Sequence, residues 1–201
     1  ISSQFDTIEF SFQKREFKTH TGTLNGKRIT VISTGIGPDN IDIVMNELDA
    51  LVNIDLTTRT EKAIKSSLEI VRIGTCGMLQ ADMELHSYVL SSHALGLDNI
   101  AHFYPINWTQ EEKKLLTQLT TQVSFPKGIT PYLSAACPKM VQKFDSAKVR
   151  KGITVTSSGF YGPQGRNLHG WSAYPDLLAK AAGFRIDFGG RRQGITHLEM
   201  E

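Results

Sequence analysis

Three stretches of this 201-residue sequence hold residue types suited to chemistry. In "RIGTCG" (72–77), Arg72 sits in an apolar run and Thr75 in a turn flanked by Gly74 and Gly77. An arginine in a buried strand needs an anionic partner, because an unpaired buried charge is very costly. Its planar fork suits a phosphate or a carboxylate, and glycine-flanked N–H groups with a threonine hydroxyl add donors for the same anion. An internal salt bridge to one of the 20 acidic residues would answer that need equally well. In "GFYGPQGR" (159–166), Gln164 offers an acceptor and two donors and Arg166 donors only, enough to read the edge of a planar base. Phe160 or Tyr161 would lie against its face; a turn with a surface arginine and two core rings is the even alternative. In "HLEME" (197–201), an extended strand would turn Glu199 and Glu201 to one side, as acceptors for two sugar hydroxyls, with Met200 as an apolar contact. Taken alone, that stretch reads more simply as an acidic strand end in solvent. Arg15, in "QKREF" (13–17), read alone is a solvated basic spot.

The elements that must position these residues alternate. Strands are expected at 27–34, 68–74, 87–95, 152–158 and 194–200, the one at 68–74 buried. Helices are expected after Pro38, with Ile41, Val44, Met45, Leu48 and Leu51 at helical spacing, and over 109–122, with Leu115, Leu116 and Leu119 on one face. Shorter helices are expected at 138–149 and 174–183, the latter closed by a C-terminal glycine. This alternation predicts an α/β fold in which helices flank a mixed, largely parallel central β-sheet, as one domain over 1–201. Ligands in such folds bind beyond the carboxyl ends of the strands, where "RIGTCG", "GFYGPQGR", "HLEME" and "STGIG" (33–37) fall.

Composition narrows the partners. A formal net charge of +2 gives no electrostatic case for nucleic acid or an anionic membrane, and no apolar run is long enough to span a bilayer. Cys76 and Cys137 lie in no CxxC pair and have no histidine at metal-ligand spacing, which reads as buried free thiols in a reducing cytoplasm. The N-terminus has neither a signal-peptide pattern nor an initiator Met, so a trimmed chain or part of a longer protein is expected.

Taken in order, "REF", "LNGKRITVISTGIGPDNIDIVMNEL", "VRIGTCG", "TVTSSGFYGPQGR" and "LEME" resemble the nucleoside phosphorylase superfamily, its uridine phosphorylases most closely. The aromatic pair followed by Gln-x-Arg is the most specific feature, because purine-specific relatives generally lack it. The resemblance implies a three-layer phosphorylase-type fold and reversible phosphorolysis of uridine to uracil and ribose 1-phosphate. It assigns phosphate binding to Arg72, Thr75 and Arg15, the last reaching a neighbouring subunit's phosphate. Base binding falls to Phe160, Gln164 and Arg166, and ribose binding to Thr75, Glu199, Met200 and Glu201. Arg72, Arg166 and Glu201 would carry the catalysis. No cofactor or metal is implied, since inorganic phosphate is the co-substrate. A homo-oligomer is implied, a dimer with shared active sites assembled into a hexamer.

The sequence departs from the family in having no counterpart of its N-terminal Gly-Asp phosphate loop or its C-terminal helix, so full activity of the chain as written is not expected. Gly162 and Pro163 reverse the order seen in some relatives, and Cys76 stands where a small hydroxyl residue or glycine is common. A purine nucleoside phosphorylase, a hydrolytic nucleosidase and a non-catalytic nucleoside-binding homologue are the competing readings.

Overall fold

A computed structural model describes residues 1–188 and 191–200, with Phe188, Arg191 and Met200 described by backbone alone. The chain divides into two compact units, Ile1–Val71 and Arg72–Glu201.

In the first unit, β1 (Thr7–Lys14), β2 (Phe17–Leu24) and β3 (Lys27–Ile32) form an antiparallel sheet in that order. The β1–β2 hairpin was not anticipated, although Ile8, Phe10 and Phe12 alternate at strand period. These three apolar side chains are exposed, and the Phe10 and Phe12 rings stack at 6.3 Å. Arg15 sits in the turn between the two strands with a φ of 55°. Helix α1 (Pro38–Asn53) opens on proline as expected. Ile41, Val44 and Leu48 are half-buried along it, whereas Met45 and Leu51 face solvent. The short pair β4 (Ile54–Asp55) and β5 (Thr60–Glu61) follows.

The second unit is built on a six-stranded mixed sheet. Its strands are β6 (Gly77–Met78), β7 (Tyr88–Gly96), β8 (Tyr132–Ala135), β9 (Val149–Ser157), β10 (Arg185–Phe188) and β11 (Arg191–Met200). The order is β10-β11-β9-β7-β8, with β6 paired to β11. The centre, β7-β9-β11, is parallel, and the flanking pairs are antiparallel. Helices α2 (Gln110–Gln122), α3 (Pro138–Phe144) and α4 (Leu177–Gly183) complete the unit. A capping box starts α2: Thr109 Oγ1 accepts from the Glu112 N–H, and Glu112 accepts from the Thr109 N–H. The Leu115 and Leu119 side chains are fully buried against Leu95, Leu133, Ile153 and Ile195, each contributing about 1.5–3 kcal/mol by leaving water.

Two expectations fail. Residues 68–74 form no strand: residues 62–76 are almost wholly irregular, and Leu68, Ile70, Val71 and Ile73 are exposed. Apolar β-formers make a strand only where a neighbour completes the ladder, and pairing with β11 is limited to Gly77–Met78. Arg72 is therefore not in a buried strand. Helix α3 also stops at Phe144, short of 149, because the chain must re-enter the sheet at Val149. Among the described residues, no helix is long and apolar enough to cross a membrane.

Candidate active site

The parallel strands deliver their carboxyl ends to one edge of the second unit. From the end of β9 the chain runs into a loop tied by its own backbone. Tyr161 O accepts from the N–H of Gln164 at 3.1 Å and of Arg166 at 2.9 Å, and Gly162 O accepts from the Gly165 N–H at 3.0 Å. Gly165 has a φ of 64°, in the left-handed region that favours glycine. The loop turns Gln164 inward, leaving it 5% exposed.

The two rings and the guanidinium form one assembly. Phe160 and Tyr161 meet edge to face with centroids 5.4 Å apart, and Arg166 Cζ lies 4.1 Å from the Phe160 ring centre. This cation–π contact holds the Arg166 fork without occupying its donors. The fork also lies beside β6, since a Cβ on Gly77 would stand 3.8 Å from an Arg166 terminal nitrogen. The alternative of a surface turn is thus half realised: the rings are exposed, but Gln164 and Arg166 are held.

At the end of β11, Glu199 pairs with Arg72. The internal ion pair considered for Arg72 is thus the contact it makes, and its partner is the carboxylate that the resemblance assigns to ribose. Arg72 keeps 40% of its side-chain exposure and Glu199 12%. Cys76 and Cys137 are free thiols but exposed rather than buried as expected; partial desolvation first, and then the Glu199 charge, push the Cys76 thiol above its ordinary pKa, with Arg72 opposing. Arg72, Cys76, Gly77, Arg166 and Glu199 thus form one locus. Thr75 is exposed in the irregular segment just before β6. Arg15 belongs to the first unit. Glu201 lies outside the described residues, and of Met200 only the backbone is described, paired with Ser157 on β9.

The sheet face that carries Glu199 is polar, which residue types alone did not reveal. Thr154 on β9 and His197 on β11 are cross-strand neighbours, 2% exposed each, with Thr154 Oγ1 2.5 Å from His197 Nε2. Ser91 on β7 reaches both, and Thr196 Oγ1 stands 2.7 Å from His197 Nδ1. Parallel strands are usually apolar on both faces, so a buried hydroxyl and imidazole row is a departure that hydrogen bonds must offset. Opposite lies the apolar core, and an apolar cleft of about 200 Å³ backs the loop between Leu97, Ile129, Pro163, Tyr174 and Leu177. Among the described residues no three acidic, histidine or cysteine side chains are grouped to hold a metal ion.

The family model of the phosphorylase superfamily matches residues 1–201. The chain belongs to the phosphorylase superfamily. It is 30% identical over 167 residues to a uridine phosphorylase of Haemophilus influenzae, covering 83% of this chain and 54% of that protein. A DeoD-type purine nucleoside phosphorylase of Clostridium perfringens is 28% identical over 163 residues, covering 80% and 56%. The chain therefore spans about half the length of these curated relatives. Among solved structures it is similar to a Trypanosoma brucei nucleoside phosphorylase described as showing uridine phosphorylase activity. The TM-score is 0.84 and the identity 26%, over 100% of this chain and 72% of that one. The α/β phosphorylase-type fold expected from the sequence is borne out.

In this member of the superfamily, burial holds His197 and His93 below the ordinary imidazole value of 6.5, against weaker opposing pulls from Glu199 and Glu112 respectively. The unfolded chain then binds more protons than the folded one in mildly acid solution. Stability is complete above about pH 6.5 and is lost as the pH falls through the lower folded values. Calorimetry is expected to show Tm falling below about pH 6.5, and His197→Gln is expected to flatten the fall. A Tm that rises on acidification would contradict the burial of these rings.

Proposed function

We propose that the protein catalyses the reversible phosphorolysis of uridine to uracil and ribose 1-phosphate, as a cytoplasmic pyrimidine-salvage enzyme. The observation that carries this reading is the loop that buries Gln164 and clamps Arg166 on Phe160 beside the Arg72–Glu199 pair. Gln164 and Arg166 would read uracil's carbonyl and N–H edge, with Phe160 against base and sugar.

Breaking the N-glycosidic bond develops positive charge on the ribose. A phosphate oxygen attacks the anomeric carbon as the C–N bond breaks, and the bonding pair leaves with uracil, which then takes a proton. Arg166 and Gln164 would stabilise the charge growing on the base, an electrostatic contribution made where the charge appears. Arg72, Thr75 and Arg15 of a neighbouring subunit would hold phosphate in line. Glu199, Met200 and Glu201 would hold the sugar. No protein nucleophile or cofactor is needed, because phosphate is both attacking group and counter-charge. A homo-oligomer, a dimer with shared sites built into a hexamer, is the expected working form.

The Arg72–Glu199 pair suits this cycle. Arg72 is partly open to water, so phosphate can reach its fork, while the more buried Glu199 keeps a partner only if a ribose hydroxyl replaces the guanidinium. Phosphate would take the Arg72 fork, releasing Glu199 for a hydroxyl.

The Clostridium relative keeps a purine substrate as the second reading. Uridine and inosine offered in phosphate and in phosphate-free buffer separate the two. Uracil release that requires phosphate is expected; inosine cleavage with uridine untouched would overturn the pyrimidine assignment, and release without phosphate would make the protein a hydrolase.

A further inference from the structure

On the polar face of the sheet, one hydroxyl is left over. Thr156 is 3% exposed, and its Oγ1 is the buried side-chain atom among the described residues that has no hydrogen-bond partner. Two residues earlier on the same strand, Thr154 points to the same face and is fully engaged by Ser91 and His197. The sheet thus satisfies a buried threonine when it serves structure alone. Thr156 lies one step nearer the carboxyl ends of the parallel strands, where ligands of such sheets bind. Its cross-strand neighbours are Glu199 on β11 and Gly96 on β7. Neither supplies a partner: Glu199 meets Arg72 through Oε2 and makes no hydrogen bond to Thr156 Oγ1, and Gly96 has no side chain. The ring of Tyr132 fills the space over Gly96, its hydroxyl committed to Asp98 at 3.0 Å, so this side offers no donor either. An orphaned buried hydroxyl costs folding free energy, and a group kept at that cost beside a candidate sugar-binding carboxylate has its partner in the ligand.

We infer that the Thr156 hydroxyl binds a ribose hydroxyl of the substrate, alongside Glu199. This assignment rests on the phosphorylase reading above. Threonine can donate to and accept from a sugar hydroxyl, whereas Glu199 only accepts, so the two together hold a hydroxyl in both its roles.

The test is Thr156→Val, which keeps the shape and removes the hydroxyl, compared with Thr156→Ser, which keeps the hydroxyl. For Val, KM for uridine is expected to rise about tenfold while KM for phosphate stays put and Tm is unchanged or higher. Ser is expected to restore the uridine KM. A lowered Tm with an unchanged uridine KM would make the hydroxyl structural and overturn the proposal, as would a rise confined to phosphate. Should Val fail to fold, Thr156→Ala is read in its place by the same two KM values. Absence of nucleoside cleavage by the unmutated protein would instead overturn the phosphorylase reading itself.

Discussion

Arg166→Ala is expected to lower kcat/KM for uridine by about 10²–10³-fold, the loss typical of removing one donor aimed at developing charge. KM for phosphate is expected to move less than about threefold, because the Arg166 head stands against Phe160 and β6 rather than on the Arg72 fork. The loss should appear mainly in kcat, since the charge on uracil grows as the bond breaks. Folding should be little affected: Arg166 makes a cation–π contact on a half-exposed ring, worth about 0.5–1 kcal/mol. Arg166→Lys is expected to rescue little, because a point charge cannot reproduce the planar fork. Equal losses on uridine and phosphate would contradict the division of labour.

Arg72→Ala is the converse. It is expected to raise KM for phosphate and lower kcat/KM by about 10²-fold or more, with the uridine KM changed far less. It leaves the Glu199 carboxylate, 12% exposed, without its partner, so Tm is expected to fall as well, by several degrees or more. A large drop in Tm with phosphate use retained would make Arg72 a structural residue. Together the two substitutions form a double dissociation, read by steady-state kinetics with each substrate varied in turn.

Local chemistry made much of the fold legible. The start of α2 is written in Thr109 and Glu112, and its buried face in Leu115 and Leu119. The strands β7, β9 and β11 follow from β-rich runs, those of β7 and β9 ending at Gly96 and Ser157. Residues 68–74 mislead because apolar β-formers fix only a capacity to pair, and a strand needs a neighbour in the right register. The β1–β2 hairpin lies on the opposite side of the same problem. Its alternation is plain, but Ile8, Phe10 and Phe12 point to solvent, so no buried face marks it.

The site was legible as residue types and not as contacts. Arg72 announces a need for an anion, but nothing in the sequence selects Glu199, 127 residues away, from the other acids. Likewise "GFYGPQGR" reads equally as a turn or as donors for a base edge, without showing that Arg166 lies on Phe160. Thr156 and His197 were invisible because their meaning lies in register: only pairing β9 with β11 sets Thr154 beside His197 and Thr156 beside Glu199. The alternation of threonine with apolar residues in "ITVTSS" was the available signal for a sheet with one polar face.

The most direct test of the central claim follows phosphorus. Uridine and inorganic phosphate incubated with the purified protein, and watched by ³¹P NMR, should give a growing ribose 1-phosphate resonance in step with uracil release. Uracil appearing with the phosphate signal unchanged, or no uracil at all, would contradict it.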